Sequence, residues 1–304
     1  MAAPLQTTHL ELPANILGTF IDQIKHGSCV ATLSAQKPQK FGVHELWSFD
    51  IGEAEYVGEG AAKGPSNITV VKRQINPFKF HKTIRVSEEI LWADEDTQLQ
   101  VVQDVTSQIQ PALSRALDFG VFHAVNPATG AAVAAMPAPL SATTIAVTRG
   151  TGPAFTELDA ADSLILAKRY TPSGIALDPA WATVFAGQRV PQTGQKLYPD
   201  FHLQTAPTSN LDNHKASVSD TVSAARVIEG GTGVIGFVGD FDKIVWGVQR
   251  QIGLKRIEYG NPDGLGDLQR QNEVAIRAEV VFGWAIVSPD AFCKILAAPA
   301  PDQE

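Results

Sequence analysis

The stretch VGEGAAKGPSNITVV, from Val57 to Val71, sets a single lysine, Lys63, among Gly58, Gly60 and Gly64. Glycines around a lysine are what a phosphate-cradling loop uses, with backbone amides turned to the anion and the ammonium beside it. The full pattern is missing here. No Gly-Lys-Ser/Thr occurs, and the residues after Asn67 read as a strand, so no helix N-terminus is at hand to receive a phosphate. A glycine-rich hairpin tip is the favoured reading. Gly231-Thr232-Gly233-Val234-Ile235-Gly236 does match the dinucleotide fingerprint G-x-G-x-x-G. Its context is again wrong, because a Ser/Thr/Ala segment precedes it and the strand-like FVGDFDKIVW follows. A loop that needs positive φ accounts for those glycines. A dinucleotide-dependent enzyme built on this loop stays as the remote alternative.

Other chemistry is thinly signalled. The histidines, at 9, 26, 44, 81, 123, 202 and 214, are dispersed, and no His-Glu-x-x-His or paired-cysteine spacing occurs, so neither metal nor cofactor is expected. No Gly-x-Ser-x-Gly elbow is present. Asp94-Glu95-Asp96 reads as solvated charge at a helix start, and Asp263 and Asp267 in NPDGLGD read as a turn. No enzymatic activity is expected. Cys29 and Cys293 are too few for a disulfide framework and point to a reducing compartment. The 304 residues, 44% hydrophobic and 18% charged, suffice for one large or two modest globular domains. A net charge of −8 argues against a surface that grips nucleic acid throughout. MAAPLQTTHL lacks the basic and apolar regions of a secretory signal, and no apolar run approaches the ~18 residues of a membrane span. A soluble intracellular product is expected.

The elements that would position such residues follow from periodicity. Ile16, Leu17, Phe20, Ile21 and Ile24 suggest one short amphipathic helix in an otherwise extended arm. Leu46 to Val86 reads as a long two-stranded excursion that turns near Gly58–Ser66, with the alternating INPFKFHKTIRV in its second half. Pro77 fits an edge strand. An isolated hairpin is marginal in water, so this one needs a surface to lie on, and a neighbouring subunit would supply it. Ser87-Glu88-Glu89 reads as the capped start of a short helix. A longer helix from about Asp96 to Phe119 buries Leu99, Val102, Val105, Ile109, Leu113, Ala116 and Leu117, and Pro111 inside it predicts a kink. Beyond it, FTELDAADSLILAKRY and PAWATVFAG read as helices, and SGIALDP, FDKIVWGV and LKRIEYG as strands. EVAIRAEVVFGWAIV is the strongest strand, with Val274, Ile276, Val280, Phe282, Trp284 and Ile286 on one face.

The order of these pieces is more telling than any one motif. VGEGAAKGPS at a hairpin tip is followed by Arg85-Val86-Ser87-Glu88-Glu89-Ile90-Leu91, a long helix, GIALDPAWATVF, and a closing QNEVAIRAEVVFGWAIVSPDAF. From about residue 10 to 297 this resembles the major capsid proteins of tailed bacteriophages with the Hong Kong 97-type fold. The resemblance implies an α+β chain with an N-terminal arm at 1–45 and an extended loop at 46–86. It further implies a peripheral domain with a long spine helix at 87–149 and 265–298, an axial domain at 150–264, and a tail at 299–304. It implies a virion shell of hexamers and pentamers around double-stranded DNA, assembled in the host cytoplasm. A separate scaffolding protein, a portal and a decoration protein are the partners implied, with no membrane and no sequence-specific DNA binding. An acidic inner wall would keep packaged DNA from sticking. An encapsulin-like compartment of the same fold, with protein cargo, is the nearer alternative. In self-crosslinking relatives a loop lysine attacks an asparagine of a neighbour, with a glutamate of another subunit as base. By motif Lys63 matches the lysine, Asn272 in RQNEV the asparagine and Glu279 in RAEVV the glutamate. In relatives that do not crosslink, such residues make polar contacts between subunits.

Overall fold

A computed structural model describes residues 27–50, 52–65, 68–88, 95–203 and 209–298. The short helices expected around 16–24 and after Ser87 lie outside the described residues, as does the tail. The strongest predicted strand, β10 (Glu273–Ile286), is the axis of one half of the fold. It pairs antiparallel with β3 (Pro77–Ser87) on one side and β9 (Ile244–Ile257) on the other. Two neighbours and a covered face leave β10 no polar surface in its second half, and every residue from Val280 to Ile286 is buried. The expected face holds: Val280, Phe282, Trp284 and Ile286 enter one core with Phe78, Phe80 and Ile84 of β3. The opposite face of the same end is closed by extended chain. A Cβ on Gly247 would strike the carbonyl of Lys37, and one on Gly283 would lie 2.8 Å from the Ile75 methyl. Only glycine lets the backbones come this near.

The long helix α2 (Glu95–His123) lies across the apolar face of that sheet. Ile109, Leu113, Ala116 and Leu117 are buried as their spacing predicts. Gly120 is where the helix meets Trp284, since a Cβ there would fall 2.6 Å from the indole ring. Each large side chain buried on this seam contributes about 1.5–3 kcal/mol. The helix runs through Pro111 without interruption, and the exposed ring sits on its outer side.

The second half is a six-stranded sheet in the order β4-β11-β8-β5-β7-β6. Its strands are β4 (Ala146–Thr148), β5 (Gly174–Leu177), β6 (Ser209–Leu211), β7 (His214–Val218), β8 (Val234–Gly239) and β11 (Phe292–Leu296). Helices α3 (Phe155–Ala167) and α4 (Pro179–Gly187) cover it with Leu158, Ile165, Trp181 and Phe185. α4 starts at Pro179 as the sequence suggests, and Asp178, which was not read as a cap, accepts from Ala180 N at 2.8 Å.

Three expectations are corrected. The hairpin is shorter than 46–86. Its strands are β1 (His44–Asp50) and β2 (Thr69–Ile75), and the alternating Pro77–Ser87 segment turns away to pair with β10. That segment therefore has a partner in its own chain. Pro77 opens an edge strand, a position that tolerates proline. FDKIVWGV and LKRIEYG form one strand, β9, because β10 is long enough to pair along both; register shifts in the pairing absorb the irregular middle. Finally, β4 and β11 join the sheet of the middle section, since β11 finds β8 on one side and β4 on the other.

Candidate assembly interface

The β1–β2 hairpin is the feature that the other described residues do not cover. Pairing aligns Glu45 with Gln74, Trp47 with Lys72 and Phe49 with Val70, so these side chains share one face. Phe41 and Val43 continue that face backward along the chain, and Ile68 extends it past Val70. All are exposed, with Trp47 at 51%, Phe49 at 56% and Phe41 at 64%. A two-stranded ribbon holding so much apolar surface in water is unstable alone. Local contacts shelter it only in part: the Lys72 ammonium sits 4.5 Å from the Trp47 ring, and Trp47 Nε1 donates to Glu45 at 3.1 Å. The root is different. Leu46 and Ile75 pack with Val245, Ala285 and Val287, which fixes the direction in which the hairpin leaves the core.

At the tip, Gly52 and Gly60 take φ of 72° and 80°, the conformation for which glycine is suited. β2 follows, and no helix does. Lys63 is exposed on this tip. Asn272 ends the short helix α5 (Leu268–Gln271) in the left-handed region and is exposed, its carbonyl accepting from Glu88 N at 2.8 Å. Asparagine is among the few non-glycine residues that tolerate this conformation. Glu279 lies seven residues further along β10, about 20 Å away on extended backbone, so one chain cannot bring Asn272 and Glu279 into a single site. Lys79 Nζ lies 2.9 Å from the Glu279 carboxylate. That hydrogen bond, together with the charges of Lys79, Arg277 and His81, holds Glu279 below the usual carboxylate range despite partial burial. The Phe282 ring points to the other face of β10 by strand alternation and does not wall Glu279.

Sequence reasoning missed two polar hubs. Arg85 of β3 donates to Asp263 (2.7 Å from Nε), Gln271 (2.7 Å), Glu273 (2.9 Å), Asn261 (3.3 Å) and the carbonyl of Gly266 (2.8 Å). It thereby fixes the NPDGLGD turn, and its guanidinium holds Asp263 down at about 2. The second hub is Asp118 of α2, fully buried, which accepts from Cys29 N at 2.9 Å, Val30 N at 3.1 Å, Thr221 Oγ1 at 2.8 Å and the Ser28 hydroxyl. Burial pushes its carboxyl up, and these four donors pull it only part of the way back. The aspartate ties the spine helix to helix α1 (Cys29–Leu33) and to the segment after β7. No local pattern could reveal either hub, because their partners lie 88 to 188 residues away.

The remaining candidate loop is resolved by its neighbours. Gly230, Gly231 and Gly233 have positive φ, and the chain then enters β8 directly. A dinucleotide needs a helix N-terminus at that point, and here there is a strand. Among the described residues no helix is long and apolar enough to cross a membrane.

Among the described residues the hairpin's apolar face has no cover, and comparison with known proteins decides the family. The profile of the phage capsid family matches residues 12–296. The chain belongs to the phage capsid family. A solved structure from Mycobacterium phage Ogopogo is 41% identical, covers 89% of this chain and 92% of its own, and superposes with a TM-score of 0.77. One from Gordonia phage Cozz is 30% identical over 90% of this chain and 87% of its own, at a TM-score of 0.70. The capsid of a native GTA particle, 12% identical with 90% and 91% covered and a TM-score of 0.57, shares the fold. Among curated proteins none matches. The chain is an α+β capsid shell protein of the Hong Kong 97 type.

Proposed function

We propose that this major capsid protein closes into hexamers and pentamers of an icosahedral shell around the double-stranded DNA of a tailed phage, assembled in the host cytoplasm. The observation that carries the reading is the apolar face of the β1–β2 hairpin, exposed in the single chain and anchored so that it projects outward. Covering it in every copy needs a repeated contact between copies, and contacts of this obligate kind bury about 2,000–5,000 Å². The role is structural and not catalytic. A scaffolding protein, a portal and a decoration protein are the further partners of this reading. Expressed with the head genes of its phage, the chain is expected to elute in the void volume of a gel-filtration column and to appear as closed particles by electron microscopy. A small soluble oligomer would contradict the proposal. Particles from the native source that hold a protein cargo and no DNA would favour a compartment of the encapsulin kind.

In such a shell Lys63, Asn272 and Glu279 meet across copies, as polar contacts. The covalent variant has the neutral Lys63 amine attack the Asn272 carboxamide: a new C–N bond forms, Glu279 takes the amine proton and hands it to the departing nitrogen, and the old C–N bond breaks to release ammonia. A carboxylate already paired with Lys79 is a poor acceptor for that proton, which favours the polar reading. Boiling mature particles in detergent separates the two. A single band at monomer mass is expected, and a ladder lost in Lys63→Ala would establish the bond.

A further inference from the structure

Asp263 and Gly264 are the only Asp-Gly pair in the chain, and no Asn-Gly occurs. At such a pair the glycine nitrogen can reach the aspartate side chain, because the following residue has no Cβ to shield it. The reaction needs the neutral carboxylic acid, since a carboxylate is a poor electrophile. Gly264 N bonds to Asp263 Cγ and gives up its proton, the Cγ–OH bond breaks, and water leaves behind a five-membered succinimide. Water then reopens the ring on either side. One side returns aspartate, and the other leaves isoaspartate, in which the main chain runs through the side-chain carbon. Water is the one co-reactant, and the final mass is unchanged.

The surroundings of the pair are open. Gly264 takes φ of 86°, and a Cβ added there would meet nothing within 4 Å. The carboxylate is what is held. Arg85 Nε donates to Asp263 Oδ2 at 2.7 Å and Nη2 donates to Oδ1, so the fork engages both oxygens. Leu265 N donates to Oδ1 at 3.2 Å, which ties the side chain to the amide one residue past the one that would attack. The chain just before is pinned as well, where Arg277 Nη2 donates to the Pro262 carbonyl at 2.8 Å. Ring closure has to break the fork. The same guanidinium lowers the Asp263 carboxyl from its ordinary 3.8 to about 2, which leaves the reactive neutral acid about 60-fold scarcer at neutral pH. We propose that Asp263–Gly264 is a self-modification site of this chain, and that Arg85 is the positioning residue that holds the succinimide reaction off. Arginine suits the task better than lysine, because its planar fork takes both oxygens where an ammonium is a point charge. Isomerisation ends the arrangement for good. Isoaspartate carries its carboxylate on a shorter arm and lengthens the main chain by one carbon, so the fork loses its partner and the turn between β9 and β10 takes another path. The inference rests on this turn alone and does not depend on the shell reading.

The test is ageing of the full-length chain in mildly acidic buffer, beside a synthetic peptide of residues 257–270. Trypsin releases the same peptide from the protein by cutting after Arg256 and Arg270. Isoaspartate is counted by methyl transfer from S-adenosylmethionine with an isoaspartyl methyltransferase, and fragmentation of the tryptic peptide places it at 263. Folded wild type is expected to react at least about tenfold more slowly than the free peptide. Arg85→Gln, checked for folding by circular dichroism, is expected to approach the peptide, and Arg85→Lys to fall between. Glu273→Gln removes another partner of Arg85 without touching the fork, and is expected to stay near wild type. Wild type that reacts as fast as the peptide overturns the guard, whether or not any variant folds. Arg85→Gln ageing at the wild-type rate also overturns it. Glu273→Gln ageing as fast as Arg85→Gln assigns the effect to the stiffness of the turn and removes the role given to Arg85. A peptide that stays free of isoaspartate overturns the site itself.

Discussion

Asp118 shows how one side chain can join segments that the sequence keeps far apart. With a buried carboxylate accepting two backbone amides and two hydroxyls, its loss strands four donors in the core. Asp118→Ala is expected to cost about 2–4 kcal/mol, since each buried group left unpaired costs about 1–3 kcal/mol and some find water. Urea denaturation of the unassembled chain measures it; a loss under 0.5 kcal/mol would show that the hub holds nothing. His214 gives a second, pH-dependent handle. Its Nδ1 faces the Asp212 carbonyl at 2.8 Å and its Nε2 the Asp162 carboxylate at 3.2 Å, so only the imidazolium can donate to both. Burial opposes that charge, but the bond to Asp162 and its charge prevail, and the folded pKa is raised above the ordinary 6.5. The stabilisation is therefore complete below pH 6.5 and fades as pH climbs through the folded value. His214→Gln should destabilise by roughly 1.5 kcal/mol at pH 5.5 and by much less at pH 8.5, read from urea midpoints. An equal or larger loss at pH 8.5 would contradict the assignment. At this scale sequence was a poor guide. Asp263 and Asp267 were legible as turn residues, and Asp267 does cap α5, but the bond from Arg85 to Asp263 spans 178 residues and leaves no local trace.

Elements were far more legible, because periodicity is a local consequence of burial. β10, β5, α3 and α4 could be read from alternation, an unbroken apolar run, helical periodicity or a leading proline. Pairing partners could not. The segment Pro77–Ser87 alternates equally well as half of a hairpin or as the edge of a sheet, and only β10 decides between them. α2 carries the sharpest prediction at this scale. Pro111 removes an amide from a helix that nonetheless continues, so its carbonyl partner at Ser107 is left without that bond and the axis should bend there. Pro111→Ala restores the bond at an exposed site and is expected to raise stability by up to about 3 kcal/mol and to straighten the helix. A high-resolution map showing the wild-type helix already straight across 107–115 would contradict the bend.

The described residues form two well-packed halves and an element, the β1–β2 hairpin, that neither half covers. Its need for a neighbour was only half readable from sequence: the alternating segment that suggested it finds β10 in its own chain, and the exposed stripe lies instead on β1 and β2. The hairpin's true length was not readable, because the second strand ends at Ile75, where burial begins. The exposed stripe of Trp47, Phe49 and Val70 has a use only in the assembled state, so fold and assembly should separate cleanly on its removal. Replacing residues 47–72 with an Asn-Gly turn keeps the Leu46–Arg73 pair and the packed root at Ile75. Particle formation by this variant, compared with wild type by electron microscopy and sedimentation, tests the central claim most directly. A folded chain with near wild-type melting that stops at capsomers or smaller species is the predicted result; closed particles of wild-type size and yield would contradict it.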